Sequence, residues 1–251
     1  MKTFPQQEQI GQKTFLDFLD KHLPYLGPQQ RSRILEAAAV AAYHAQMEFP
    51  VIRLLLCDDA PEFKLITQEL ALCWIHDGRH YKKLDPFVPL HQQLLGSFLK
   101  QYWDFYRQLL QYRQNPSNQE HIRLDQLFDE IFSTVTGYDA LDRRIQKTRA
   151  KKPSMLIVLD HPEIPLHNNP AELEARKRVR KRVVSFGTRT LNGTKAWDTF
   201  MSLSGTAKKL GINFYHYVFD RISGAFEMPG MAELIAQRAQ QLNLGTSWNP
   251  P

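Results

Sequence analysis

The sequence predicts a mixed α/β chain that is mostly helical. Two observations carry this. One long stretch places Leu94, Phe98, Tyr102, Phe105, Leu109 and Tyr112 three or four residues apart, which is the period of an amphipathic helix. Two short runs, VIRLLLC over 51–57 and ELALCWIH over 69–76, are nearly all apolar, as buried strands are, and a parallel pair accounts for them.

In chain order, an amphipathic helix over 14–23 is ended by Gly27-Pro28. A second helix over 29–46 presents Ile34, Ala38, Ala41 and Ala42 as a small-residue face. Pro50 breaks it, and the strand over 51–57 runs into Asp58-Asp59. The strand over 69–76 is followed by a basic helical turn over 78–84. Helices over 90–113, 120–135 (with Ile122, Leu127, Phe128 and Ile131 apolar) and 138–150 form an antiparallel hairpin or small bundle. Pro153, Pro162, Pro165 and Pro170 make 153–170 a semi-extended connector. Asn169 caps a helix that Pro170 opens and that runs to about Arg182. A loop over 186–193 leads to helices over 194–210, 214–222 and 231–242, and the tail TSWNPP is expected to be disordered.

The 251 residues carry a net charge of +6, a balance that favours polyanionic partners weakly. The two cysteines, Cys57 and Cys73, lie in apolar stretches, so a reducing compartment fits and a disulfide framework does not. The first residues, MKTFPQQEQIGQ, contain no apolar core of a signal peptide, and no apolar run is long enough to span a membrane. A cytoplasmic protein without membrane partners is the expectation.

Four constellations could carry chemistry. Asp58, with Asp59 beside it, ends a predicted buried strand, where side chains point into the ligand crevice of an open α/β sheet; a plain turn is the alternative. Glu172, in HNNPAELEAR over 167–176, falls in the first turn of a helix, where the helix dipole favours a carboxylate whatever its role. Were Glu172 to meet Asp58 across a cleft, the two could hold Mg²⁺ or Mn²⁺ together with phosphate oxygens. The run RKRVRKR over 176–182 follows on the same helix, and Arg176, Arg178, Arg180, Lys181 and Arg182 are candidate phosphate contacts, with a solvated charged face as the bland reading. The segment CWIHDGRHYKKL over 73–84 has a Cys-x-x-His spacing but no second ligand pair for zinc; Cys73 and Trp74 read as core, and Arg79, Lys82 and Lys83 as positive charge near the cleft.

These segments together resemble the DDE transposases of insertion sequence family sixty-six, over residues of about 30 to 225. The most specific match is LHNNPAELEARKRVRKRVVSFG over 166–187, similar to the signature around that family's third catalytic carboxylate: paired Asn, then Glu172, Arg176 and the basic pair Lys181-Arg182. CDDAPEF resembles the segment around the second catalytic Asp, which makes Asp58 the counterpart. ALCWIHDGRHYKKL and MSLSGTAKKLGINFYHYVFDRIS resemble the segment after the next strand and the closing helices.

The resemblance implies an incomplete RNase H-like (DDE) core with a helical insertion. Its expected parts are 1–89, a partial core with the Asp58 strand; 90–153, the insertion; 154–225, the rest of the core with the Glu172 helix; and 226–251, a C-terminal helix and tail. It also implies DNA as partner (transposon ends and target), a two-ion Mg²⁺ or Mn²⁺ site in the intact family, and Asp58 and Glu172 as catalytic and metal-binding residues. Asp17 and Asp20 fall on a predicted helix and do not match the first catalytic Asp, so a truncated chain that is inactive alone and prone to self-association is expected. The alternative is a non-catalytic DNA- or protein-binding module derived from a transposase.

Overall fold

The computed structural model describes residues 11–47 and 51–241; the predicted tail lies outside them. They fall into two units that divide at Ile52/Arg53. The first holds α1 (Gln12–His22) and α2 (Pro28–Ala45). Pro28 stands in the first turn of α2, where its missing N–H costs nothing, and Gln30 Oε1 accepts from Gly27 N at 3.0 Å. Arg31 reaches Asp20 at 2.5 Å, so both early aspartates sit on a helix, as the sequence predicts.

The second unit is mostly helical around a two-stranded parallel sheet of β1 (Leu54–Cys57) and β2 (Glu69–Leu72), paired from Leu54↔Glu69 to Cys57↔Leu72. Among the described residues β1 pairs with β2 alone. The second strand ends four residues earlier than the apolar run predicts. Cys73 turns the chain, its Sγ accepting from His76 N at 3.4 Å, and Trp74 opens α3 (Trp74–Lys82). Cys73 and Trp74 are therefore buried at a helix start rather than in a strand, an ambiguity that apolar runs carry by nature.

Three helices follow with short connections: α4 (Pro89–Gln114), α5 (Asn118–Phe132) and α6 (Asp139–Arg149). Ser117 caps α5, its hydroxyl accepting from Glu120 N at 3.2 Å. The inward face of α4 is Leu95, Phe98, Tyr102, Phe105, Leu109 and Tyr112, the predicted stripe with Leu95 in place of Leu94. On α5 the fully buried face is Leu124, Phe128 and Phe132, with the predicted Leu127 and Ile131 partly buried against the same core, while Ile122 is 58% exposed. The indole of Trp74 gathers Tyr102, Phe105, Phe128 and Phe132 at centroid distances of 5.4 to 6.4 Å. The aromatic faces of α4 and α5 thus form one hydrophobic core with β2 and α3.

The first part of the segment after α6 is helical rather than the semi-extended connector its prolines predict, and 160–168 is irregular. Lys152–Met155 forms α7 and Ile157–Leu159 a 3-10 turn, with Met155, Leu156, Val158 and Leu159 buried. Pro153 lies in a first helical turn, where proline starts helices rather than breaking them. Tyr112 Oη donates to Leu159 O at 2.7 Å, and Trp74 Nε1 donates to Met155 O at 2.9 Å, which pins the segment to the core.

The remaining helices are α8 (Asn169–Ser185), α9 (Leu191–Leu210), α10 (Phe214–Ser223) and α11 (Met231–Gln241). Asn168, not Asn169, holds the N-cap position of α8, and its side chain makes no capping bond. The loop predicted over 186–193 is shorter, because Thr190 caps α9 through a 3.0 Å bond from Gly193 N. No residue of α8 is buried, and α9 buries Ala207 alone. Among the described residues no helix is long and apolar enough to cross a membrane.

Candidate functional site

Asp58 and Asp59 follow β1 at the C-terminal end of the sheet. Cys73 N donates to Cys57 O at 2.9 Å, and Trp74 N donates to Leu166 O at 2.9 Å. The β2–α3 junction thus holds the end of β1 through Cys73 and the irregular segment before α8 through Trp74. Asp58 and Asp59 follow the first; His167, Asn168 and Glu172 follow the second.

Asp59 is committed to an ion pair with Lys151 at 2.5 Å. Asp58 is not: its Oδ1 is buried and has no hydrogen-bond partner. His167 Nδ1 and Asn168 Oδ1 are also buried without partners. A buried polar atom left unpaired costs free energy on the order of 1–3 kcal/mol, more when charged, so such atoms mark places where water, a cation or a ligand belongs.

Glu172 sits differently. Arg79 Nη1 of α3 lies 3.4 Å from its Oε2, and Arg176 Nη2, one turn along α8, lies 3.8 Å from the same oxygen. The glutamate is therefore charge-compensated by two guanidiniums, and Arg79 is turned toward it. Lys82 extends over the Trp103 ring at 5.3 Å, and Lys83 is the exposed C-cap of α3. Among the described residues no group of three or more His, Cys, Asp or Glu is placed to hold a metal ion. The orphaned Asp58 oxygen is compatible with a cation. Glu172, already compensated, is not a ready second ligand, so the donor set here falls short of a complete ion site.

Beneath α3 lies a polar network that sequence reasoning missed. Asp77 is 5% exposed and pairs with Arg144 of α6. Thr148 Oγ1 donates to Asp77 Oδ2 at 2.9 Å, which leaves the Tyr81 hydroxyl to donate to Thr148 at 2.6 Å. Tyr102 Oη reaches Trp74 O at 2.8 Å and Asp77 Oδ2 at 3.3 Å. Burial raises the pKa of both tyrosines, with the Asp77 charge adding to it, so both remain neutral donors. A signal was available: Asp77 stands three residues after Trp74 and four before Tyr81, on the buried face of the helix. The network fixes α3, and through it Arg79.

The basic helix divides into bound and free cations. Arg178 pairs with Asp198 of α9 at 2.7 Å, Lys177 pairs with Glu174 at 2.6 Å, and Arg176 faces Glu172. Among the described residues Arg180, Lys181 and Arg182 have no acidic partner. Arg180 and Lys181, together with Lys177, line a groove of about 580 Å³ between α8 and α9. Lys208 of α9 lines it too, a residue that sequence reasoning did not single out. The Lys177 ammonium, with Lys209 and Lys208 nearby, holds the Glu174 carboxyl below the usual carboxylate range.

Cys73 Sγ is engaged as the cap of α3, not held ready as a zinc ligand. Burial, reinforced by the Asp58 and Asp59 charges, pushes the Cys57 thiol up to about 11. At pH 8 about one Cys57 in a thousand is thiolate, since each pH unit below the pKa is a factor of ten. Folded protein treated with iodoacetamide at pH 8 should therefore leave Cys57 unmodified for hours, and denatured protein should be alkylated within minutes, as read by peptide mass spectrometry. Rapid alkylation in the folded state would contradict this environment.

Residues 43–196 of the chain match the Transposase IS66 family. A protein of Sinorhizobium fredii (strain NBRC 101917 / NGR234) with the name "Uncharacterized protein y4jO" is 34% identical over 233 residues, covering 91% of this chain and 71% of that protein. No solved structure matches.

Proposed function

Since the chain belongs to the Transposase IS66 family, we propose that it is a transposase-derived DNA-binding protein. Its α8 contacts phosphates, and its Asp58 and Glu172 correspond to two carboxylates of the family's Mg²⁺- or Mn²⁺-dependent site in an RNase H-like core. The observation that supports the reading is the unpaired, buried oxygen of Asp58 just after β1 at the C-terminal end of the parallel sheet, beside the junction that Leu166, shortly before α8, joins through Trp74 N. Carboxylates at the C-terminal ends of strands, beside a one-signed basic helix, are what phosphodiester chemistry uses.

In the intact family's site Mg²⁺ or Mn²⁺ would activate the attacking water or hydroxyl, and Asp58 and Glu172 stand at positions that would help hold it; here Glu172 faces Arg79 and Arg176 instead. This chain's own side chains bind and orient DNA: Arg180, Lys181 and Arg182 meet phosphates, and Arg79 and Arg176 compensate Glu172. The guanidiniums at Glu172 favour DNA binding without cleavage by the chain alone. Incubated with end-labelled element DNA and Mn²⁺, the purified chain should shift the DNA in a native gel and leave it uncut. Cleavage that is lost in Asp58→Ala or Glu172→Ala would overturn the non-cleaving half of the proposal. Absence of any DNA shift would overturn the rest.

A further inference from the structure

The groove between α8 and α9 has a chemistry that duplex binding does not use. Its rim carries Lys177, Arg180, Lys181 and Lys208, and its single acid, Glu174, already pairs with Lys177. Its floor is apolar, made by Met201, Ile212 and Phe214. Gly205 lets α9 come close to Glu174: a Cβ there would stand 3.1 Å from its Oε2. Phosphates of a duplex could meet the rim cations, but the bases of a duplex are stacked and paired, and nothing in it would cover the floor.

We propose that this groove is a single-strand site: it takes an unpaired DNA segment, with phosphates on Arg180, Lys181 and Lys208 and a base against Met201, Ile212 and Phe214. Cations following a backbone beside an apolar or aromatic platform are the recognised chemistry of single-strand binding, and it tolerates any sequence because every base has an apolar face. The proposal rests on the DNA-binding reading above and adds the strandedness and the surface. It makes Lys208 and Phe214 DNA contacts.

The test is fluorescence anisotropy of the full chain with oligothymidine, an abasic oligonucleotide of equal length, and a duplex. Oligothymidine should bind most tightly, and Phe214→Ala should weaken it by roughly tenfold while leaving abasic DNA unchanged. Arg180→Ala with Lys208→Ala should flatten the log–log salt dependence on oligothymidine by about 1.4, or about 0.7 for each phosphate no longer neutralised. Because Phe214 opens α10, Ile212→Ser, outside any helix, serves as a second floor variant, and circular dichroism confirms that each variant folds. Equal affinity for abasic and thymidine strands, or floor variants without effect, would overturn the groove proposal and leave duplex binding standing. Failure to bind any DNA would instead overturn the functional reading itself.

Discussion

Asp77→Ala will destabilise the protein by about 3–5 kcal/mol, the cost of breaking a buried ion pair by removing one partner. Arg144, whose side chain is 12% exposed, would keep its charge in a nearly dry site, and Thr148 would lose its acceptor. The loss should appear as a lower midpoint in urea with an unchanged slope. A double-mutant cycle sharpens the prediction. Adding Arg144→Ala to Asp77→Ala should cost much less than the sum of the two single changes, because the second removes the charge that the first left stranded. Strict additivity would mean that the two side chains do not depend on each other.

Trp74→Ala is the second large effect, again about 3–5 kcal/mol, by loss of transfer energy and the cavity left behind. The indole is fully buried, touches four aromatic rings and donates to Met155 O. It joins α3, α4, α5 and the segment after α6, so its removal loosens elements far apart in sequence. Trp74→Phe should recover part of the loss while still leaving the Met155 carbonyl without its donor. A Trp74→Ala protein as stable as the parent would contradict the account of the core.

Most helices were legible because their apolar spacing survives in the fold: α4 and α6 keep the predicted positions within a residue or two. Two errors had physical causes. ELALCWIH reads as one buried strand because a strand end and a buried helix start are both apolar; only the Cys73 cap separates them. The prolines after α6 read as breakers because sequence does not show that Pro153 occupies a first helical turn. In the proposed site, Asp58 and Glu172 are candidates from strand-end and motif logic. The Asp77 network was not legible, since reading 69–76 as strand hid the helix register that puts Asp77 on one face with Trp74 and Tyr81. Lys208 was missed because its partners on α8 lie about thirty residues away.

The most direct test of DNA binding through α8 is its salt dependence when the free cations of the helix are removed. With a duplex, Arg180→Ala, Lys181→Ala and Arg182→Ala combined should weaken binding equally for unrelated sequences and flatten the log–log slope by about 2.7, or about 0.9 for each phosphate no longer neutralised. Arg178→Ala, whose guanidinium is held by Asp198, should change that slope far less. An affinity and slope unchanged by the triple substitution would contradict the claim that this helix is the DNA-binding element.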